Sequence, residues 1–515
     1  MDPDRPTDDR GPSSSRPCAS ARLLRWVDRW RVPLLIYVLL GYLAGFNGQW
    51  RMSDDSCSHL VVARNIAEGH GYTHPDGLQV HLAPGLPYLV AATFRVFGTE
   101  SLAPALAVMW TASLVVLALT YWLFGLVGGR PLAVLMTLLL AHNVQFYSFG
   151  FRLLTEMPFL VGAMLLLVGY ERIHRRIGPV AWNVVLIGAG FLVMAAFRSV
   201  ALVFAAALLI TLALELARRR RYAALAGACV LLLATVAVVR WADPGRDHPF
   251  QLGPDEQVLR ARLVDRLPQT LGEIGVNAHR LVTDALPEVL FGVDFGFMAA
   301  PLSVAALACT LTLVRVRLLW LVLIAAFICQ WLLVMVTERY CLPVVPLLIF
   351  AWWRGALWLE ARLPARWALG IGALMMALLV VPNAIRIGDM FLEQRSRPFI
   401  ACYKDGKYEI PVRLAEWIRD NTEPEATIIT SRQYGPIMLY LSRRCTVDSV
   451  SWRLRWDPLV YAAFPAEGPI PENLVRRRWT LDELIVTIGA EEPGRAWTLY
   501  SVDPPARRPP PAPPL

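Results

Sequence analysis

Apolar residues in this chain come in continuous blocks of about 17 to 22, the length that carries a helix across a hydrocarbon core of ~30 Å at about 1.5 Å per residue. A chain built this way reads as a polytopic membrane protein. Its 56% hydrophobic and 18% charged content is too apolar for an ordinary soluble domain. Eleven spans are expected, at 32–48, 103–127, 131–149, 153–171, 180–197, 200–217, 222–240, 297–314, 318–336, 340–358 and 367–385. The apolar stretch 83–98 is interrupted by Pro84, Gly85, Pro87 and Arg95, and reads as an interfacial or re-entrant helix.

The net charge of +9 does not point to nucleic acid, because much of the basic charge sits between spans. With the N-terminus cytoplasmic, the inside loops hold Arg130, ERIHRR (171–176), RRRR (218–221), RVR (315–317), Arg354, Arg362 and Arg366. The short outside loops carry only Arg152, Arg198 and Arg339. That asymmetry places 49–102, 241–296 and everything after 386 on the external side. Lys404 and Lys407 are the only lysines; Arg on this scale points to a GC-rich bacterial genome, hence a multi-pass protein of the cell inner membrane.

The polar residues 1–31 read as a disordered, basic cytoplasmic N-terminus with an uncleaved first anchor, and 504–515 as an extended Pro-rich tail. Between the last span and that tail, 387–503 loses its apolar blocks. PVRLAEWIRDN (411–421) carries a helical apolar stripe, ATIITS (426–431) reads as a strand, and IMLYLS then CTVDSV repeat helix and strand. LIVTIG and AWTLYSV read as two more strands around the turn EEPGR. The expected fold class is therefore mostly α, a transmembrane module over 32–386 with a small external α/β C-terminal domain. Cys402 and Cys445 are a possible disulfide of that domain, whereas Cys229, Cys309, Cys329 and Cys341 fall in or beside spans as small core residues. Trp26, Trp30, Trp50, Trp352 and Trp353 read as interfacial belt residues.

On this topology, ionisable residues gather at the outer ends of spans: Asp54 and Asp55 in SDDSCSHLVVARNIAEGHGY, Arg152 and Glu156 in GFRLLTEMPF, Arg198 in AAFRSVAL, Arg339 in ERYCLPVVPLL. Guanidinium groups suit phosphate oxygens, and a carboxylate suits taking a proton from a hydroxyl. Each has a purely structural alternative. Asp55 serves equally as the N-cap of the following helix, with Asp54 favoured by its dipole. Glu156 lies four residues after Arg152, the spacing of a local ion pair. The arginines alone suit headgroup snorkelling. Four of the eight histidines, His59, His70, His74 and His81, lie within 23 residues beside the aspartates, but no two have the spacing of a strong metal motif.

The run DDSCSHLVVARNIAEGHG after a first span, followed by LAPGLPYLVAA and FG, resembles the first external loop of GT-C glycosyltransferases. It is most similar to the bacterial protein-mannosyltransferase-like group that includes lipid A aminoarabinose transferases. RLLTEMPF and ERYCLPVVP resemble that group's later membrane-end motifs. The resemblance implies transfer of a sugar from a polyprenyl-phosphate donor to an acceptor hydroxyl of lipid, glycan or protein at the outer face, with inversion. It implies Asp55, or Asp54, as general base, and Arg339 with Arg198 as stabilisers of the leaving phosphate. Glu156, Arg152, His59 and Tyr340 complete the implied substrate contacts. No cofactor is assigned, and a divalent cation stays open. The chain departs from many relatives at His59, where they carry an aromatic residue, and from some at Asp55, where they carry Glu. Two rival classes are a secondary transporter, disfavoured because no internal repeat is present, and a non-catalytic membrane scaffold, disfavoured by the clustered ionisable residues.

Overall fold

The computed structural model describes residues 19–48, 50–73, 82–98, 101–218, 267–293, 295–333, 338–396, 409–423, 426–430, 435–443, 445–447, 460–465, 480–488 and 496–503. The expected span 222–240, His74, His81, Cys402 and Cys229 lie outside those residues.

Among the described residues, six helical segments are long and apolar enough to cross a membrane: Ala103–Ala141, Glu156–His174, Val180–Phe197, Gly296–Arg315, Glu338–Glu360 and Trp367–Glu393. Shorter apolar helices occupy Arg31–Gly45, Gly85–Phe97, Ala201–Leu214 and Leu318–Leu333. In chain order the first helices are α1 (Ala19–Arg29), α2 (Arg31–Gly45), α3 (Asp54–Glu68), α4 (Gly85–Phe97), α5 (Ala103–Ala141), α6 (Val144–Phe149), α7 (Glu156–His174), α8 (Val180–Phe197) and α9 (Ala201–Arg218).

Two expected spans, 103–127 and 131–149, are joined in α5 across a kink. Gly129 there has φ +79°, a conformation that glycine adopts without steric cost, and Pro131 follows. The second of these spans also ends earlier than expected. Asn143 leaves the helical region, its side chain accepts from the Phe146 N–H at 2.9 Å, and its Nδ2 donates to the Val289 carbonyl at 2.6 Å. A polar cap inside an apolar run thus breaks the helix where hydropathy alone shows continuity.

Helices α7 and α8 form a close antiparallel hairpin. A Cβ on Gly162 would lie 2.6 Å from the Gly190 carbonyl oxygen, and one on Gly190 2.5 Å from that of Gly162. Glycine on both faces lets the backbones touch, the usual device of membrane helix packing. The hairpin brings the first residue of α7, Glu156, beside the residue that caps α8, Arg198. At its other end Glu171, fully buried, receives hydrogen bonds from Arg175 and Arg317, each at 2.6 Å.

Trp26 and Trp30 are exposed, as expected of belt residues, but Trp352 and Trp353 are not: both are buried in the bundle core, and Trp352 Nε1 donates to the Met375 carbonyl at 2.9 Å. Their helix packs against neighbours on several sides, and the interior hydrogen bond satisfies the indole.

The C-terminal segment forms helices Glu409–Asn421 and Gly435–Ser442 and a five-stranded sheet of β1 (Thr427–Ile429), β2 (Cys445–Val447), β3 (Val460–Pro465), β4 (Thr480–Ile488) and β5 (Trp497–Asp503). The sheet order is β2-β1-β3-β5-β4, with β1 parallel to β2 and β3, and β5 antiparallel to β3 and β4. β3 was not expected from sequence. This unit does not stand apart from the membrane module. Val412, Ile437, Leu439 and Tyr440 share one hydrophobic cluster with Leu60, Val61 and Val62 of α3 and Leu86 and Val90 of α4. The Arg64 guanidinium lies 4.6 Å over the Tyr440 ring and Nη1 donates to the Tyr440 carbonyl at 3.1 Å.

Candidate active site

The stretch that opens α3 folds by a capping box. Ser53, not Asp55, is the N-cap: its hydroxyl accepts from the Ser56 N–H, and the Ser56 hydroxyl accepts in return from the Ser53 N–H. The aspartates therefore occupy the first turn, where the helix dipole favours negative charge, and the Asp55 carboxylate is free of a capping duty. The helix closes at Gly69, whose φ of +90° suits a left-handed C-cap. Between these ends α3 is buried on most of its surface, with exposed charge at Asp55 in its first turn and Glu68 in its last.

Asp55 and His59 sit one turn apart on the same face of α3. The Asp55 carboxylate pairs with Arg339 Nη1. Arg339 also donates from Nη2 to the Tyr340 hydroxyl at 3.0 Å, and its guanidinium lies 4.9 Å from the centre of that ring. On the ring's account a second cation is present: the Arg198 guanidinium is 5.0 Å from the same centre. Arg198 Nη1 donates to Glu156 Oε1 at 2.6 Å. Glu156 is 3% exposed, and its Oε2 is buried with no hydrogen-bond partner among the described residues. His59 is 6% exposed, and its Nδ1 is likewise buried without one.

The electrostatics follow from that arrangement. Burial opposes ionisation of Asp55, but the charge and hydrogen bond of Arg339, helped by His59 and Arg198, hold its carboxyl below the ordinary carboxylate value. Burial pushes the His59 imidazole down to about 4, against the pull of Asp55 and Glu156 and with Arg198 and Arg339 adding to the fall. His59 is therefore neutral at pH 7.

Of the residues singled out in the sequence, the structure brings together Asp55, His59, Glu156, Arg198, Arg339 and Tyr340. Arg152 is not among them, and it does not pair with Glu156 in place of Arg198. Its guanidinium stacks 4.6 Å over Phe149, on the side of a second polar group that sequence reading missed. There Gln145 Nε2 donates to Glu288 Oε1 at 2.9 Å. Burial, then the Glu338 charge, raises the Glu288 carboxyl, while Arg386, Gln145 and Arg152 act against that rise. An acid inside the apolar run LPEVLF was the available signal. Asp54 opens α3, and its side chain lies outside the description. Among the described residues no group of three or more His, Cys, Asp and Glu is placed to hold a metal ion.

No protein-family model matches the chain, and no curated protein matches it in sequence. Solved structures do. ArnT from Cupriavidus metallidurans bound to undecaprenyl phosphate superposes with a TM-score of 0.59 at 13% identity, over 92% of this chain and 98% of that one. Its apo state gives 0.56 at 12% identity over the same shares. The Archaeoglobus fulgidus oligosaccharyltransferase, in complex with Zn and sulfate, gives 0.53 at 14% identity, over 79% of this chain and 62% of that one. At such identities a likeness carries the fold, and nearly the whole chain is covered. The protein is thus a multi-pass membrane protein with the GT-C fold, a helical bundle that bears a C-terminal α/β domain.

Proposed function

We propose that this protein is a membrane glycosyltransferase that moves a sugar from a polyprenyl-phosphate donor to an acceptor hydroxyl at the outer face of the membrane. One observation carries the reading. Two Arg–carboxylate pairs, Asp55–Arg339 and Glu156–Arg198, flank one tyrosine ring at one end of the bundle. That combination supplies a proton acceptor and two cations suited to phosphate oxygens. The GT-C fold supports it, as does the undecaprenyl phosphate bound in the ArnT structure.

In the mechanism, Asp55 takes the proton of the acceptor hydroxyl, whose oxygen attacks the anomeric carbon from the face opposite the phosphate. The new C–O bond forms as the anomeric C–O bond to phosphate breaks, and polyprenyl phosphate leaves with the electron pair. Arg339 and Arg198 stabilise the charge that grows on its oxygens. Glu156 and His59 offer buried polar atoms to the sugar or the acceptor, and the Tyr340 ring lies near both guanidiniums. Asp55 is assigned as the base because its carboxylate meets Arg339. The positive-inside pattern supports a cytoplasmic N-terminus, a catalytic module over 32–386 and an external domain over 387–503.

The test is transfer by the purified protein in lipid, across a panel of polyprenyl-phosphate sugars and acceptors, with the product's anomeric configuration read by NMR. Transfer with inversion is expected. Transfer with retention refutes the single displacement, and no transfer over a broad panel refutes the activity.

A further inference from the structure

Asp55 has two duties in the geometry above that conflict. As a base it must take a proton, yet its carboxylate is occupied by Arg339, which stabilises the ionised form. Arg339 in turn is asked to meet the donor phosphate while already bound to a carboxylate. The Asp55 side chain is 50% exposed and that of Arg339 28%, so the pair stands at an accessible edge and neither member is locked in a core. By contrast the Glu156–Arg198 pair is 3% and 16% exposed. The two cations thus differ: one is fixed by a buried partner, and the other is held by a partner that solvent and ligand reach.

We propose that the donor phosphate displaces Asp55 from Arg339, so that binding of the lipid-linked sugar and release of the catalytic base are one event. This inference rests on the function proposed above. Asp55 stands in for the phosphate in the free protein: both are oxyanions that a guanidinium binds, and Arg339 meets the carboxylate through Nη1. Once the phosphate takes Arg339, Asp55 loses the partner that keeps its proton affinity low, and it accepts the proton of the acceptor hydroxyl. Tyr340 serves the exchange, because its hydroxyl accepts from Arg339 Nη2 and its ring faces the same guanidinium, holding the cation in place as its anion changes. The consequence for the reaction is an order of events. Without a donor the base stays masked and an acceptor hydroxyl is not activated.

The competition has a signature that catalysis alone does not produce. Removing the base should tighten donor binding. Farnesyl phosphate is the probe, farnesol its uncharged control, and binding is measured by calorimetry on the full chain in nanodiscs for wild type, Asp55→Asn, Arg339→Gln and the double variant. Asp55→Asn is expected to bind farnesyl phosphate about fivefold more tightly than wild type, the factor set by freeing a half-exposed ion pair. In the Arg339→Gln background the same substitution should have little effect. Unchanged or weaker binding by Asp55→Asn overturns the inference while leaving the proposed function standing. So does tightening that persists in full without Arg339, since that reports simple repulsion between Asp55 and the phosphate. Wild type that binds farnesyl phosphate no better than farnesol overturns the donor reading itself, and this inference with it.

Discussion

Arg198→Met isolates the claim that α7 and α8 are tied at the site by one buried ion pair. Glu156 is 3% exposed and its Oε2 has no partner among the described residues, so Arg198 is the group that pairs with it directly, with Arg339 adding a longer-range attraction. At 2.6 Å and an effective dielectric of about 20, the gross attraction is about 6 kcal/mol, most of it offset by the cost of taking both ions out of water. Removing one partner leaves that cost without the attraction, and the expected destabilisation is about 3–5 kcal/mol. Replacing both, as Arg198→Met with Glu156→Leu, should recover most of the loss, because no buried charge is then left alone. The assay is equilibrium unfolding in mixed micelles of the two single variants and the double. Arg152→Met in the same cycle with Glu156→Leu should show a coupling below about 0.5 kcal/mol, since Arg152 stacks on Phe149 instead. A cost of Arg198→Met below about 0.5 kcal/mol, or strong coupling of Glu156 to Arg152, refutes the pairing.

Other perturbations follow from the same packing. Gly190→Ala drives a Cβ to 2.5 Å from the Gly162 carbonyl oxygen, and should cost about 1–3 kcal/mol by the same unfolding assay. His59 titrates at about 4 in the folded chain against an ordinary 6.5. Its folded value is the lower one, so the unfolded chain binds the extra proton between these values and stability should fall by about 3 kcal/mol as pH drops from 6.5 towards 4. His59→Gln should flatten that part of the stability–pH curve. Tyr440→Ala removes the ring that Trp50 and Arg64 pack against, and should destabilise the α3 contact by about 3 kcal/mol. Protease cleavage between the bundle and the C-terminal unit reads this as a faster nick.

Much of this was legible because hydropathy and charge asymmetry are carried by many residues at once. The spans, the short helix over 85–97 and the helix–strand rhythm after 409 are of that kind. So is the Asp55–His59 face, which needs only helical spacing. What single residues decide was harder to read. Asn143 ends a helix inside an apolar run by capping and by reaching the Val289 carbonyl, a contact 146 residues away. Trp352 is buried because Met375 supplies an acceptor for its indole, which a window of local sequence does not contain. The choice between Arg152 and Arg198 for Glu156 turns on glycines that let α7 and α8 touch, which i,i+4 spacing does not reveal. The N-cap went to Ser53 because a serine three residues on completes a reciprocal pair, leaving the Asp55 carboxylate to meet Arg339.

The central claim is that the Asp55 carboxylate is the base of a lipid-linked sugar transfer. The most direct measurement is the rate at which the purified protein in lipid transfers radiolabelled sugar from polyprenyl-phosphate donors, with Asp54→Asn, Asp55→Asn and Arg339→Ala run beside wild type. The account predicts that Asp55→Asn loses transfer by orders of magnitude with folding intact, that Arg339→Ala loses it as well, and that Asp54→Asn keeps most of it. Full transfer by Asp55→Asn, or collapse in Asp54→Asn alone, contradicts the assignment.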